Sequence, residues 1–549
     1  MLNILNLMIE TNRNMITKRK FSSYGPVDKS IEYYAPREEL VQKAITQLKG
    51  ENPEKGGHYF TVWAPRQAGK SWSLREALWQ LQQDDRFYTV KVNLQLGFME
   101  ALPVAQYIVK QINMYLKLGI ANPESLEEFQ EIFKNGNTKK PFILILDEFD
   151  DLSPEAIAEM IKVFRNIYTT RKDASKSSFE WDYLFHGIAL IGVRSVLGIE
   201  NPKGSPFNVQ RSLFIPNLTY DEVKGMFDDF QREWGQQIDD EVIEKLYYET
   251  NGQPGLVSWF GELMCEKYNE TPDKPLKMLD WLNTWSRATH IEPNNTVMNL
   301  ISKANQPEHK DTVLKLFKID GKMPFKFEDP NINFLYMNGI ISFEESLDQF
   351  GIKTQYTKFS NPFVQKRLFD RFCYEYFDYI GRLYDPLLEL DDIFLETELN
   401  VYGLLKLYEI YLKNNKHWLD KNLPIRSDGR FYETFYHFNL FRWLFDMMYH
   451  SDGYVVPEFP TGNGKIDLIV KYAGKNYALE LKSFGKFSEI KKHIEKAALY
   501  GQQLKLTEVY LIYFYDFALP KERLEKYETQ VLDVITNVLV KPVFLYLDR

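Results

Sequence analysis

The stretch HYFTVWAPRQAGKSW, residues 58–72, decides the fold. Its first half is an apolar, β-prone run that stops at Pro65, and its end opens the amphipathic run SWSLREALWQLQQ. A strand, a tight loop and a helix in that order turn backbone N–H groups and a helix N-terminus toward one point, where an anion is stabilised. The loop consists of Ala64, Pro65, Arg66, Gln67, Ala68, Gly69, Lys70, Ser71 and Trp72. Lys70 is placed to reach the β- and γ-phosphates of a nucleotide, and the Ser71 hydroxyl to ligate Mg²⁺. The pattern GxxxxGK[ST] is met with one departure, Ala64 for its first glycine, while Gly69 beside the lysine is kept. Arg66 serves either a phosphate or a neighbouring acid.

Outward from this loop, strands and helices alternate. Residues 29–50 read as an extended entry and a helix, RFYTVKVNL (86–94) as a strand and ALPVAQYIVKQINMYLKL as a helix. KPFILILDEFDDL (140–152) is an apolar strand ending in acids; a helix over 154–171 and the strand GIALIGVR (187–194) follow. Such alternation predicts a parallel sheet covered on both faces, and an uncharged run such as FILIL suits a central strand. Asp147 ends that strand, where it can hold Mg²⁺ through water, and Glu148 beside it can activate an attacking water. Arg194 closes the last strand, where an arginine can sense the γ-phosphate or make an ordinary surface pair.

Residues 219–290 are helical in pattern, and 291–370 read as two or three short helices and a hairpin, GIISFEES then IKTQYTKFSNP, the order of a winged helix. Basic residues around 309–326 would suit nucleic acid there. Residues 387–419 read as a helical connector, and LPIRSDGR as a polar boundary before the C-terminal module.

Length and composition bound the rest. A chain of 549 residues exceeds one core, and 44% apolar with 15% aromatic residues means folded domains. Two cysteines, Cys265 and Cys373, allow no disulfide framework or zinc spacing, which suits a reducing compartment. No apolar run approaches a membrane span, and the start lacks a basic leader; Met15 offers an alternative initiator. A net charge of −9 argues against a general nucleic-acid coat, yet residues 421–549 hold 18 Lys and Arg against 16 Asp and Glu.

That C-terminal module contains GNGKIDLIVKYAGKNYALELKS, residues 462–483. Two β-prone runs, 466–472 and 476–482, flank Ala473-Gly474-Lys475, which predicts a hairpin. A turn at Ala473-Gly474 sets Asp467 opposite Glu480; a turn at Gly474-Lys475 sets it opposite Lys482. In both registers the three side chains share a face. Two acids at that distance repel unless a cation sits between them, and hard Mg²⁺ prefers oxygen ligands.

YYAPREEL, HYFTVWAPRQAGKS, FILILDEFD, GIALIGVRSV, GSPFNVQRSLFIPNLTYDEV and TNGQPGLV, in this order, resemble the bacterial and archaeal AAA-like ATPases of the AAA+/STAND group over residues 30–290. The resemblance implies an α/β ATPase core, a helical lid in which Gly252 and Pro254 approach the nucleotide, and then a winged helix. The C-terminal hairpin is similar to the PD-(D/E)xK nuclease superfamily. This second resemblance implies Asp467 and Glu480 as metal-binding acids, the Leu481 carbonyl as a further ligand, and Lys482 as the catalytic lysine. It also implies a following helix and strand, supplied by IKKHIEKAALYGQQLKL and EVYLIYFYDF, and a further acid, for which Glu433 and Glu458 compete. A glutamine common in that helix is replaced: Lys496 stands near its place, with Gln502 and Gln503 a turn or two on.

The expectation is therefore an α/β multidomain protein. Its parts are an N-terminal extension (1–28), a P-loop parallel-sheet ATPase core (29–216), a helical lid (217–290) and a winged-helix-like domain (291–382). A helical connector (383–427) and a restriction-endonuclease-like α/β domain (428–549) complete it. ATP and Mg²⁺ are the expected cofactors, and DNA the expected partner with RNA left open. A homo-oligomer in the cytoplasm, off the membrane, answering a protein or nucleic-acid trigger in defence against phage or plasmids or in a mobile element, completes the reading by analogy.

Overall fold

A computed structural model of the chain describes residues 18–23, 25, 27–65, 68–171, 173, 175–192, 211–318, 323–347, 351–378, 380–385, 390–417, 433–448, 451, 453–457, 467–515, 517 and 519–546. The side chains of 211, 290, 318 and 433–435 lie outside that description. Arg66, Gln67, Arg194 and Glu458, all expected at a site, also fall outside it, as do the 1–17 start and the LPIRSDGR boundary. Two compact units divide the chain. One holds the described residues up to Thr296 together with Lys326–Ile341; the other holds Val297–Phe325 and the described residues from Ser342 on.

The first unit is built on five parallel strands, β1 (Tyr59–Trp63), β2 (Tyr88–Asn93), β3 (Phe142–Asp147), β4 (Phe185–Gly192) and β5 (Arg211–Phe214), in the order β2-β3-β4-β1-β5. Alternate residues serve opposite faces. Ile143 and Ile145 pack with Phe60, Val62 and helices Glu38–Lys49 and Lys70–Leu81, whereas Leu144 and Leu146 pack with Ala101–Leu116 and Pro154–Thr170. β5 has no counterpart in the sequence reading; it is a four-residue edge strand that closes on β1.

At the start of β4 the register slips by one residue, leaving His186 as the extra residue of a bulge. Buried Arg171 donates to the carbonyls that the slip frees, those of Phe185 and His186, and to Gly57. His186 Nε2 lies 3.0 Å from the Lys49 carbonyl and so donates, while Nδ1 is buried with no partner among the described residues. Burial pushes this imidazole down to about 4. The unfolded chain, titrating near 6.5, then binds the extra proton between pH 6.5 and 4. Stability is fully present above pH 6.5 and falls as pH drops through that window, by a total on the order of 3 kcal/mol. His186→Gln keeps the donor and removes the proton. Its urea midpoint should lose less than the wild type's between pH 7 and 4.5, and equal losses would refute the assignment.

Helices Tyr220–Trp234, Asp240–Thr250, Pro254–Glu262 and Met278–His290 form the expected helical segment. TNGQPG is its corner: Asn251 and Gly252 both take positive φ, the Gln253 side chain caps the next helix by accepting from Leu256 N–H, and Pro254 is its first residue. A Cβ on Gly252 would stand 2.0 Å from the Leu218 carbonyl oxygen, so only glycine fits. The segment expected as a winged helix supplies helices Asn295–Ala304, Pro307–Lys318 and Pro330–Met337 and then strands β6 (Ile341–Leu347) and β7 (Lys353–Phe359), distributed over the two units.

The second unit centres on a six-stranded mixed sheet, β8 (Tyr454–Pro457), β9 (Leu468–Tyr472), β10 (Lys475–Ser483), β11 (Glu508–Tyr515), β12 (Val531–Asp533) and β13 (Val538–Tyr546), ordered β12-β13-β11-β10-β9-β8. Helix Ile490–Gln503 covers one face through Ala497, Ala498 and Tyr500. On the other face Tyr436, of helix Glu433–Met448, stacks on Phe514 at 4.6 Å, and Tyr408, of Val401–Asn414, meets the same ring. Both cysteines are buried and free. Among the described residues no helix is long and apolar enough to cross a membrane.

Candidate functional site

The described residues of the expected phosphate loop run from a strand end to a helix start. β1 ends at Trp63, Gly69 takes φ 86° as the residue before the helix, and Lys70 is the first helical residue. That φ is open to glycine and strained for other residues. The Lys70 side chain folds back over the loop, its ammonium donating to the carbonyls of Ala64 (2.8 Å) and Pro65 (3.0 Å). A buried cation ringed by loop carbonyls at a helix N-terminus fits a phosphate chain, which would draw the ammonium outward. Trp72 follows Ser71 and meets Tyr34 edge-on at 5.5 Å.

Asp147 closes β3 on the same sheet face as Ile145, the face that bears helix Lys70–Leu81. It is 3% exposed and accepts the Lys91 ammonium at 2.7 Å, its other oxygen taking the Glu148 N–H at 3.2 Å. Glu148 turns the chain out of the strand at φ 54°, a conformation that non-glycine residues adopt under constraint, often at functional sites.

The sequence offered no sign that Pro330–Met337 reaches this loop. Tyr336 meets Trp63 at 5.7 Å, and a Cβ on Gly339, whose φ is 77°, would stand 2.7 Å from Pro65 Cβ. Gly339→Ala should therefore lower the urea midpoint by an amount equivalent to about 2–4 kcal/mol, the left-handed penalty plus overpacking. Since the clash falls on the loop itself, the affinity for a fluorescent ATP analogue should drop several-fold as well. An unchanged midpoint would show that the two segments do not pack as described.

In the second unit the hairpin takes the first of the two registers. Ala473 and Gly474 both have positive φ, and Lys475 pairs with Tyr472 and Leu479 with Leu468, so that continuing the ladder sets Asp467 opposite Glu480. Asp467 Oδ2 accepts the Leu481 N–H at 2.7 Å. Lys482 Nζ bridges Glu480 Oε1 (3.0 Å) and the Leu481 carbonyl (2.9 Å), so an ammonium spans two of the expected metal ligands. Glu480 is 2% exposed, and its Oε2 has no hydrogen-bond partner among the described residues. Burial first, and the Asp467 carboxylate second, push its carboxyl up to about 8, while Lys482 and Lys496 act in the opposite sense. Lys496 and Tyr500 stand on the helix facing this strand and interact with each other.

Glu433 opens helix Glu433–Met448, its side chain outside the described residues. One turn on, buried His437 does reach the site: its Nε2 is 3.1 Å from the Asp467 main-chain carbonyl. A carbonyl only accepts, so Nε2 carries the proton and fixes the backbone beneath the acid. Periodicity marks that helix as apolar and gives no hint of this role. Among the described residues no group of three His, Cys, Asp or Glu side chains is placed to hold a metal ion.

Parallel sheet, glycine-capped helix and buried strand-end acid make the first unit a parallel α/β domain. No family model matches the chain, and no curated protein does. Among solved structures it is similar to a Walker-type ATPase of Pyrococcus abyssi, at 14% identity and TM-score 0.43, over 63% of this chain and 99% of that one. The Aeropyrum pernix ORC1 protein, solved in complex with DNA, gives 13% identity and TM-score 0.33 over 61% of this chain and 92% of its own. The Thermotoga maritima RuvB Holliday junction branch migration motor gives 11% and 0.32 over 63% and 95%.

Proposed function

We propose that the chain is an ATP-binding and ATP-hydrolysing switch that regulates a Mg²⁺-dependent DNA endonuclease module. The observation that carries the cutting half is Glu480: a buried carboxyl with one oxygen unpartnered among the described residues, opposite a second acid and beside a lysine. The Lys482 ammonium meets Oε1, and the desolvated Oε2 is costly to leave unmatched, which a second cation would remedy. Asp467, Glu480 and the Leu481 carbonyl would hold the metal, with Glu433 as a further acid. Bound there, Mg²⁺ supplies charge that generates hydroxide and stabilises the phosphorane-like transition state. Lys482 would orient the water or neutralise the developing charge.

In the first unit Lys70 would bind the β- and γ-phosphates, Ser71 and Asp147 would hold the nucleotide's Mg²⁺, and Glu148 would position the attacking water. Arg194 is proposed as the γ-phosphate sensor, and Gly252 and Pro254 as the corner that brings the helical segment toward the nucleotide. A homo-oligomer is the form in which nucleotide state would gate cutting.

One observation favours a second reading, a nucleotide-dependent signalling or nucleic-acid-binding protein that does not cut: the Lys482 ammonium already bridges Glu480 and the Leu481 carbonyl, two of the expected metal ligands. The deciding experiment incubates the purified chain with linear, circular and single-stranded DNA and Mg²⁺, with and without ATP. Metal-dependent cleavage that changes with ATP supports the first reading. ATP hydrolysis with no substrate cut moves the second ahead.

A further inference from the structure

Strand β2 carries one charged residue, Lys91, in YTVKVN. Lysines on edge strands commonly blunt the edge by pointing to water, and β2 is the edge of its sheet. Lys91 does something else. Its register partner is Ile145, and Asn93 stands opposite Asp147, so the Lys91 stem must run two residues forward along the sheet to bring Nζ within 2.7 Å of Asp147 Oδ2. The pair is largely enclosed, with 17% of the lysine side chain and 5% of the aspartate side chain exposed. The other carboxylate oxygen accepts the Glu148 N–H at 3.2 Å. A buried carboxylate needs a counter-charge, and this ammonium provides it.

Resting on the nucleotide reading above, we infer that Lys91 is a built-in counter-ion for Asp147, which the Mg²⁺ of the incoming nucleotide must displace. Ammonium and hydrated metal compete for the same carboxylate lone pairs. The flexible, partly exposed lysine stem lets Nζ leave without moving the strand. Lys91 therefore sets the Mg²⁺ concentration at which the site loads, and it holds the Asp147 side chain in place until then. Asp147 is thus kept ready but occupied.

The test titrates MgCl₂ against the full-length chain and a fixed concentration of fluorescent N-methylanthraniloyl-ATP, with an EDTA baseline, for wild type, Lys91→Gln and Lys91→Arg. The amide is a weaker, uncharged partner, and the guanidinium fork a stronger, bidentate one. Half-saturating Mg²⁺ should fall about tenfold in the glutamine variant and rise several-fold in the arginine variant. Binding in EDTA should stay within about twofold of wild type. Equal Mg²⁺ requirements, or the reverse order, overturn the inference. So does loss of EDTA binding in Lys91→Gln, which would make Lys91 a direct phosphate contact. If circular dichroism shows the glutamine variant unfolded, arginine against lysine decides alone. A wild type that binds no nucleotide at any Mg²⁺ concentration overturns the nucleotide reading itself, a result distinct from binding with an unaltered Mg²⁺ requirement.

Discussion

Glu480→Gln should abolish Mg²⁺-dependent DNA cleavage, by about a thousandfold or more, while the protein's thermal midpoint holds or rises. The magnitude follows from the metal's contribution, several kcal/mol of transition-state charge stabilisation, at 1.36 kcal/mol per factor of ten. The sign of the stability change follows from burial. At 2% exposure the carboxylate is desolvated, faces Asp467 and leaves Oε2 without a partner among the described residues. With its carboxyl raised to about 8, Glu480 is largely neutral near pH 7 in the metal-free protein; glutamine is the neutral isostere and still offers the Lys482 ammonium an oxygen, so little of that contact is lost. A residue kept only for stability would show the opposite pattern, with a lowered midpoint and cleavage reduced in proportion. Calorimetric titration with Mn²⁺ gives an independent reading, since the wild type should bind and the variant should not. Undiminished cleavage by the variant would sink the assignment of Glu480 as a metal ligand.

The parts of this design that could be read from the sequence are those carried by local order. FILILD, all buried, can only be a central strand, and strand, glycine loop and helix follow one another within the residues that make the phosphate loop. The hairpin was legible down to two registers; the positive φ values at Ala473 and Gly474 choose between them. β13 escaped notice because Pro542 interrupts it, and proline normally argues against an interior strand. In the fold β12 pairs with β13 through Val538–Val540 alone, so Pro542 lies where its missing N–H costs no bond to that neighbour. Lys91, Gly339 and His437 were illegible for a different reason. Each reaches its site through the tertiary fold: a stem running along a sheet edge, a helix end closing on the loop, a ring on a helix otherwise read as apolar. No periodicity encodes such meetings.

Lys70→Met should lower the affinity for ATP by about a hundredfold or more, the loss of a buried charge-assisted phosphate contact, with little change in fold. Methionine approximates the lysine stem and leaves the apolar packing at this 9%-exposed position in place. What the folded chain loses is the ammonium's bonds to the Ala64 and Pro65 carbonyls, worth about 1–3 kcal/mol. The sheet beneath is closed on both faces and should absorb it. The consequence for cleavage separates the two halves of the proposal. If nucleotide state gates the C-terminal site, wild-type cutting responds to ATP and the Lys70→Met protein cuts at one fixed rate whatever the ATP concentration. That rate, compared with the two wild-type rates, tells whether the empty loop goes with fast or slow cutting. Should wild type and variant cut alike, with and without ATP, while the variant has lost nucleotide binding, the switch and the cutter are uncoupled. Glu480 would then keep its role and Lys70 would regulate something other than cleavage.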